Sequence, residues 1–254
     1  MFPGLGTLVN VVAVLVGSGL GLLLGHRLPQ RTRDTVTDGL GLVTLLIGGL
    51  SAAAVGSDVL AAAVGSAAPV LIVLGSLLVG GILGSIVDIE QRLEDLGEWL
   101  RTRPARGGAG SADLPDPARD RFLEAFVTAS LVFCVGPLTI LGSLSDGLGL
   151  GAEQLILKSV LDGFASIAFA ASLGAGVMAS ALTVAVVQGL LTLVGFAVGD
   201  VLPAAHLAAI TATGGLLLLG VGLRLLRVRQ VPVGNLLPAL LVAPLLVALV
   251  AALR

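Results

Sequence analysis

The chain has too few charged residues to cover the surface of a soluble protein of its length. Only 12% of its 254 residues are Asp, Glu, Lys or Arg, whereas 56% are hydrophobic. Soluble domains carry about 25% charged residues, because their surfaces must be hydrated. The composition therefore excludes an ordinary soluble fold. It predicts an all-α, polytopic helical membrane protein whose main partner is the lipid bilayer.

Residue types that carry common chemistry are also scarce. The single cysteine, Cys134, has no partner for an internal disulfide, and its apolar surroundings predict an inert buried thiol. The two histidines, His26 and His206, are far apart in the sequence, so neither a metal site nor a cofactor is expected. The net charge is −2, which argues against nucleic acid as a partner. Tyrosine is absent, so any aromatic belt at the membrane interface is thin.

Apolar runs long enough to cross a bilayer recur along the whole chain. A hydrocarbon core of about 30 Å requires about 20 apolar residues in a helix. The runs predict eight spans in a single transmembrane domain over 1–254: 4–25, 37–55, 69–87, 123–144, 155–174, 177–199, 207–226 and 233–253. Span four could instead be re-entrant. The central helices, 123–174, carry a polar stripe.

Basic residues are concentrated in three loops. The loops after spans one, three and seven, with Arg224 at the end of span seven, hold 12 of the 14 Lys and Arg residues. With eight spans these loops share one side, which the positive-inside rule makes cytoplasmic. Both termini are therefore predicted outside.

The loop after span three, 88–121, has two parts. Apolar residues at helical spacing, with acids between them, predict an amphipathic helix on the cytoplasmic membrane surface. The following TRPARGGAGSADLPDPARD predicts a flexible linker.

An internal repeat is suggested by a shared pattern, G-x-x-x-G-x-x-x-P. The pattern occurs at 21–29 and again at 195–203, an offset of 174 residues, and the same offset aligns Gly41 with Gly215 and Gly48 with Gly222. Such matches also arise by chance in a sequence rich in Gly and Leu. If the repeat is real, spans one to three are copied in spans six to eight. The copies would face opposite ways, an arrangement common among transporters.

The segment KSVLDGFAS places two charges inside the fifth predicted span. On a helix, Lys158, Ser159, Asp162 and Ser166 share one face. A charge at the helix centre costs about 2.5–3.5 kcal/mol on insertion scales, so its presence needs a reason. Either Lys158 and Asp162 neutralise each other, or Asp162 belongs to a cation, proton or substrate site. The order Lys before Asp is the poorer one for such a pair, and Lys158 is close enough to the outer surface to snorkel. These two points favour the second interpretation.

Other polar residues are predicted to join this site. In span four, Gly136 and Pro137 break the helix, which leaves a carbonyl near Phe133 in need of another partner. Pro137 alone could equally form a packing kink. Asn10 in span one is a weaker candidate. The predicted substrate- or ion-binding residues are Asp162, Lys158, Ser159, Ser166, Gln188, Thr139, Ser143 and, near the outer mouth, Asp146.

Three segments resemble a bacterial inner-membrane family known as domain of unknown function 554: CVGPLTILGSLSDGL, KSVLDGFASIAFAASLGAGVMASA and VVQGLLTLVG. The resemblance extends from GTLVN near the start to GNLLPALLVAPLL near the end. It departs from the expected pattern at Val187, where an aromatic is usual, and at Leu138-Thr139, where Met-Ala is usual. The family pattern singles out Gly136, Pro137, Gly142, Ser143, Asp146, Gly147, Lys158, Ser159, Asp162, Gly163, Ser166 and Gln188. The resemblance implies a multi-span inner-membrane protein, sometimes described as a transporter, and it brings no substrate.

These residues fit two classes of function and argue against a third. A transporter or channel for a small solute or cation would use Asp162 to bind a cation or proton, Lys158 to tune its charge, and neighbouring oxygens as ligands. A non-transporting scaffold would form a homo-oligomer, such as a homodimer, with the charges as internal glue. An enzyme is not expected, because neither histidine lies inside a predicted span and Asp162 is the only deep acid.

Overall fold

The chain is helical throughout the residues that the structure, a computed structural model, describes: 3–25, 29–102, 117–134, 137–198 and 203–253. No strand occurs in these ranges. The helices are α1 Leu5–Gly25, α2 Gln30–Ala52, α3 Asp58–Val64, α4 Ala68–Val87, α5 Ile89–Thr102, α6 Pro117–Cys134, α7 Pro137–Gly147, α8 Glu153–Leu173, α9 Gly176–Val198, α10 Ala204–Leu225, α11 Val233–Leu236 and α12 Ala239–Ala252. The all-α prediction is confirmed.

The apolar helices agree with the predicted spans. Seven segments of the described chain are long and apolar enough to cross a membrane, and α6 with α7 forms a further candidate that is bent by 73°. The second span begins at Gln30, seven residues before the predicted start, because a polar first turn continues the helix beyond its apolar part. Likewise α10 begins at Ala204 and includes His206. The short α3 was not predicted.

The bent pair α6–α7 runs from one end of the bundle to the other. At the start of α6, Arg121 Nη2 donates to the Ser172 carbonyl at the end of α8, at 2.8 Å. At the end of α7, Asp146 Oδ2 accepts from the backbone N–H groups of Gly4 and Gly6, at 3.2 and 3.0 Å, where α1 begins. Because α1 and α8 lie parallel, these contacts mark opposite ends. The pair therefore reaches both ends of the bundle, as a broken crossing does.

Glycines bring α1 and α8 into backbone contact. A Cβ atom on Gly17 would lie 2.4 Å from the Gly163 carbonyl oxygen, and one on Gly21 would lie 2.3 Å from that of Ile167. Further along, a Cβ atom on Gly25 would lie 2.7 Å from the Ala171 carbonyl oxygen. The contacts advance together along both helices, so the helices are parallel. Small residues permit such close approach in membranes.

The crossing of α2 and α10 also depends on glycines. A Cβ atom on Gly48 would lie 2.9 Å from the Gly215 carbonyl oxygen, and one on Gly215 would lie 2.7 Å from that of Gly48. One on Gly222 would lie 3.2 Å from the Gly41 carbonyl oxygen. From Gly41 to Gly48 along α2, the partner on α10 changes from Gly222 back to Gly215. The two helices are therefore antiparallel.

The basic end of the bundle is held by ion pairs. Glu90, at the start of α5, pairs with Arg224 at the end of α10 and accepts the Gly234 N–H of α11 at 2.9 Å. Glu98 of α5 pairs with Arg119 of α6. The predicted amphipathic helix therefore exists as α5. Its position on the membrane surface stays a prediction. Of the predicted flexible linker, 102–120, the part 103–116 lies outside the described residues, whereas 117–120 form the start of α6.

The glycine crossing predicts unequal effects of two adjacent substitutions. We expect Gly48→Ala to lower stability by about 1–3 kcal/mol, because the added methyl group meets backbone atoms of α10. Gly49→Ala is the matched control, since a Cβ atom there meets nothing within 4 Å. The thermal midpoints of the two variants are measured by size-exclusion chromatography after heating in detergent. Equal midpoints for both variants would contradict the assigned crossing.

Candidate functional site

The polar face of α8 is turned into the protein, as predicted. Lys158, Ser159, Asp162 and Ser166 are all buried, and the opposite face includes Phe164, which is 69% exposed. Asp162 is the tenth of the 21 residues of α8, which places it about 14 Å from the start of the helix at 1.5 Å per residue. The carboxylate thus lies close to the middle of a bilayer-spanning helix.

Two side chains compensate the Asp162 carboxylate. Lys158 Nζ forms an ion pair with Oδ2, and Asn10 Nδ2 of α1 donates to the same oxygen at 2.9 Å. Both contacts fall on Oδ2, and Oδ1 takes no hydrogen bond from the described residues. Lys158 does not snorkel to the surface, and the ion pair with Asp162, the less favoured of the two interpretations, is present. Its ammonium turns inward, because an unpaired buried carboxylate is far costlier than the poorer order of the pair.

A cavity of about 380 Å³ lies beside the ion pair, between α2, α6, α7, α8 and α10. Lys158, Asp162 and Thr139 all line it, and most of the remaining wall is aliphatic. The pair is therefore a buried contact with space alongside it and not a closed one. Cavities of this size are at the lower end of small-molecule sites, which span about 300–1,000 Å³.

The helix break beside the cavity is satisfied by a side chain. Pro137 has no N–H to donate to the carbonyl of Phe133, four residues earlier. Thr139 Oγ1 donates to that carbonyl at 3.1 Å, so the unmet acceptor expected near Phe133 finds its partner within α7. Gly136, the other residue of the predicted break, lies outside the described residues.

The two serines of the polar face have local partners. Ser159 Oγ donates to the Leu155 carbonyl at 2.6 Å, and Ser166 Oγ donates to that of Gly163 at 2.8 Å. Neither residue lines the cavity beside Asp162, although Ser159 lines an outer groove between α1 and α8. Their hydroxyl protons are used within α8, so the structure separates these two predicted ligands from the ion pair.

Asp146 has a different role from the predicted one. It is 3% exposed, and among the described residues it accepts hydrogen bonds from two backbone N–H groups at the start of α1. A carboxylate is stabilised there by the unsatisfied N–H groups of the first turn. Asp146 therefore fastens α7 to α1 and is not among the residues that line the cavity.

Gln188 lies on the contact between α1 and α9. The hydroxyls of Thr7 and Thr192 meet at 3.3 Å, and one helical turn deeper these antiparallel helices carry Asn10 and Gln188. Both polar atoms of Gln188, the Asn10 Oδ1 atom and Ser143 Oγ are buried without a hydrogen bond among the described residues. Unpaired buried polar atoms are uncommon, and they give this region spare capacity to bind water or a ligand.

Sequence reasoning ranked Asn10 too low. Its hydrogen bond to Asp162 follows from the parallel packing of α1 on α8, which no local pattern reveals. Thr44 and Ser51 of α2 also line the cavity and were not singled out. The described residues contain no group of three His, Cys, Asp or Glu side chains placed to hold a metal.

Comparisons with known proteins give one family and two relatives. The model of a family described as "Protein of unknown function (DUF554)" matches residues 5–248. An uncharacterized protein of Escherichia coli (strain K12), YqgA, is 34% identical over 243 residues, 94% of each chain. An uncharacterized membrane protein of Bacillus subtilis (strain 168), YdfK, is 28% identical over 242 residues, 95% of each chain. No solved structure matches the chain significantly.

The ion pair predicts a characteristic pattern of stability. Lys158→Met alone should destabilise the protein by about 3–5 kcal/mol, because it leaves the Asp162 carboxylate unpaired. The double variant Lys158→Met/Asp162→Asn should recover most of that loss, since neither charge remains and the amide still accepts from Asn10. Thermal midpoints in detergent measure both effects. A double variant less stable than the single one would contradict the pairing.

Proposed function

We propose that this chain, which belongs to the DUF554 family, is a transport protein that moves a small solute or ion across the bacterial inner membrane. The observation that carries the proposal is the Lys158–Asp162 pair, more than nine-tenths buried, beside a cavity of about 380 Å³. Ionisable residues inside membrane helices mark substrate and ion pathways more often than they serve packing.

The pair retains hydrogen-bonding capacity toward the cavity. An ammonium has three donors, and Lys158 uses one of them on Asp162. The free Oδ1 atom of Asp162 adds an acceptor. A purely structural pair would have both groups saturated, so this spare capacity supports a binding role.

The broken crossing supports the same function. Phe133 and Thr139, on either side of the break, both line the cavity. Helices interrupted at membrane depth are tolerated where the irregular backbone is buried in protein or lines a cavity, and many transporter sites are built this way.

An inverted repeat is part of the proposal. The offset of 174 residues equates Gly41 with Gly215 and Gly48 with Gly222, and the close approaches pair Gly48 with Gly215 and Gly41 with Gly222. If each residue is replaced by its equivalent in the other copy, the contact of Gly48 with Gly215 becomes the contact of Gly222 with Gly41. A two-fold relation between the copies produces such a pair of contacts. The helices α1, α2 and α4 would then correspond to α9, α10 and α12.

The proposed orientation puts the basic end of the bundle in the cytoplasm. Arg119, Arg121 and Arg224 are held at the end where α1 finishes, and Leu5 and Ala252 lie at the opposite end. By the positive-inside rule both chain ends are then outside.

Reporter fusions test this orientation. Alkaline phosphatase joined after residue 254 should be active, and the same enzyme inserted after residue 108 should be inactive. Green fluorescent protein at the same positions should give the opposite pattern. An inactive phosphatase at the C-terminus, with an active one in the loop, would reverse the proposed topology.

A non-transporting homo-oligomeric scaffold is the alternative, and one observation favours it. Lys158 and Asp162 already neutralise each other within one chain, as internal glue would. Asp162→Asn separates the two functions when size and stability in detergent are measured before flux. A scaffold loses its assembly when its internal pair is broken, whereas a transporter keeps its size and loses transport.

Flux through proteoliposomes tests transport directly. We expect Asp162→Asn to reduce proton flux by about tenfold or more, the effect of losing one charged contact. Asp34→Asn is the control, because Asp34 is a surface carboxylate bonded to Gln30. An entrapped pH-sensitive dye reports the flux at equal protein content. Wild-type flux in the Asp162→Asn variant would exclude the proposed role of this carboxylate.

A further inference from the structure

We propose that the cavity beside Asp162 receives an amphiphile directly from the bilayer, with its aliphatic chain in the cavity and a neutral polar head at the ion pair. The proposal rests on the transport function, takes its solute alternative and not its ion alternative, and names the class of that solute. The head is a group that both donates and accepts hydrogen bonds, such as a carboxamide, a protonated carboxylic acid or a hydroxyl.

The mouth of the cavity lies on the apolar perimeter of the protein. Val43 and Ile47 of α2 and Leu161 of α8 line the cavity, yet each has about half of its surface exposed, at 52%, 50% and 54%. The neighbouring Leu42 and Leu46 are exposed as well. A membrane protein presents such aliphatic surface to lipid chains, so the opening faces the bilayer.

Apart from the hydroxyl of Ser51, the walls have little polar capacity away from the ion pair. Thr44 Oγ1 donates to the Leu40 carbonyl at 2.8 Å, and Thr139 Oγ1 donates to that of Phe133. Both hydroxyl protons are therefore used within the helices that carry them. The wall residues Val132, Leu138 and Leu218 offer only apolar contact. Such a pocket suits an aliphatic chain better than a small hydrophilic solute.

The ion pair selects a head that is neutral. Lys158 has two donors left and Asp162 has the Oδ1 acceptor, so the polar end of the cavity offers both functions side by side. A carboxamide or carboxylic acid can accept from the ammonium and donate to the carboxylate at once. A cationic or anionic head would compete for one member of the pair and leave the other charge buried and unpaired.

Photolabelling in lipid nanodiscs tests the site. The probe is a hexadecanamide that carries a diazirine in its chain and a terminal alkyne, and labelled peptides are mapped by mass spectrometry. We expect labels on the second half of α2 and around Asp162 of α8. Ile47→Trp should fill the mouth and lower this labelling by about tenfold. Leu46→Trp is the matched control, because Leu46 is exposed on the same helix and does not line the cavity. Labelling that is spread over the perimeter and insensitive to Ile47→Trp would overturn the proposal.

Competition identifies the class of ligand. Unlabelled hexadecanamide should displace the probe, whereas acetamide and hexadecyltrimethylammonium should not. Displacement by acetamide at the same concentration would assign the cavity to a small polar solute, which overturns the amphiphile and leaves transport intact. Equal displacement by the long-chain cation would overturn the neutral head. Loss of flux in Asp162→Asn is measured separately, so the failure of either proposal can be distinguished.

Discussion

A carboxylate held near the middle of a membrane-spanning helix must be compensated inside the protein, because hydrocarbon offers it no partner. The architecture around Asp162 follows from this constraint. Lys158 supplies the opposite charge from one turn earlier on α8, and Asn10 supplies a hydrogen bond from α1. Both act on one oxygen, so compensation is achieved while part of the pair stays available to the cavity.

Close helix packing allows Asn10 of α1 to reach Asp162 of α8. Asn10 has a short side chain, and its amide meets Asp162 because Gly17 and Gly21 let α1 lie against the backbone of α8. At the other end of the bundle Asp146 fixes the start of α1 to the end of α7. The broken crossing α6–α7 is thereby held beside the carboxylate, with its unmet carbonyl closed by Thr139. The small residues and the polar contacts therefore act together to compensate the buried carboxylate.

Periodicity and composition were sufficient for the class of fold, for most span positions and for the buried face of α8. They also predicted that the carbonyl near Phe133 would need a partner. They failed where the answer depends on which helices are neighbours. The ion pair of Lys158 with Asp162 was one of two interpretations and was ranked second, because snorkelling was judged from the depth of Lys158 alone. Asn10 could not be ranked as a partner of Asp162, since the parallel pairing of α1 and α8 has no local signature. Asp146 was predicted near the end of the fourth span, but its contact with the first turn of α1 joins residues 140 positions apart.

The central claim is that the Asp162–Lys158 pair borders an occupiable cavity near mid-bilayer. A high-resolution cryo-electron microscopy map of the protein in a lipid nanodisc tests it most directly. The account predicts non-protein density within hydrogen-bonding distance of the Lys158 ammonium or of Asp162 Oδ1, continuous with the opening between α2 and α8. Side chains from α2 and α10 that close over the ion pair, with no space or density beside it, would contradict the account.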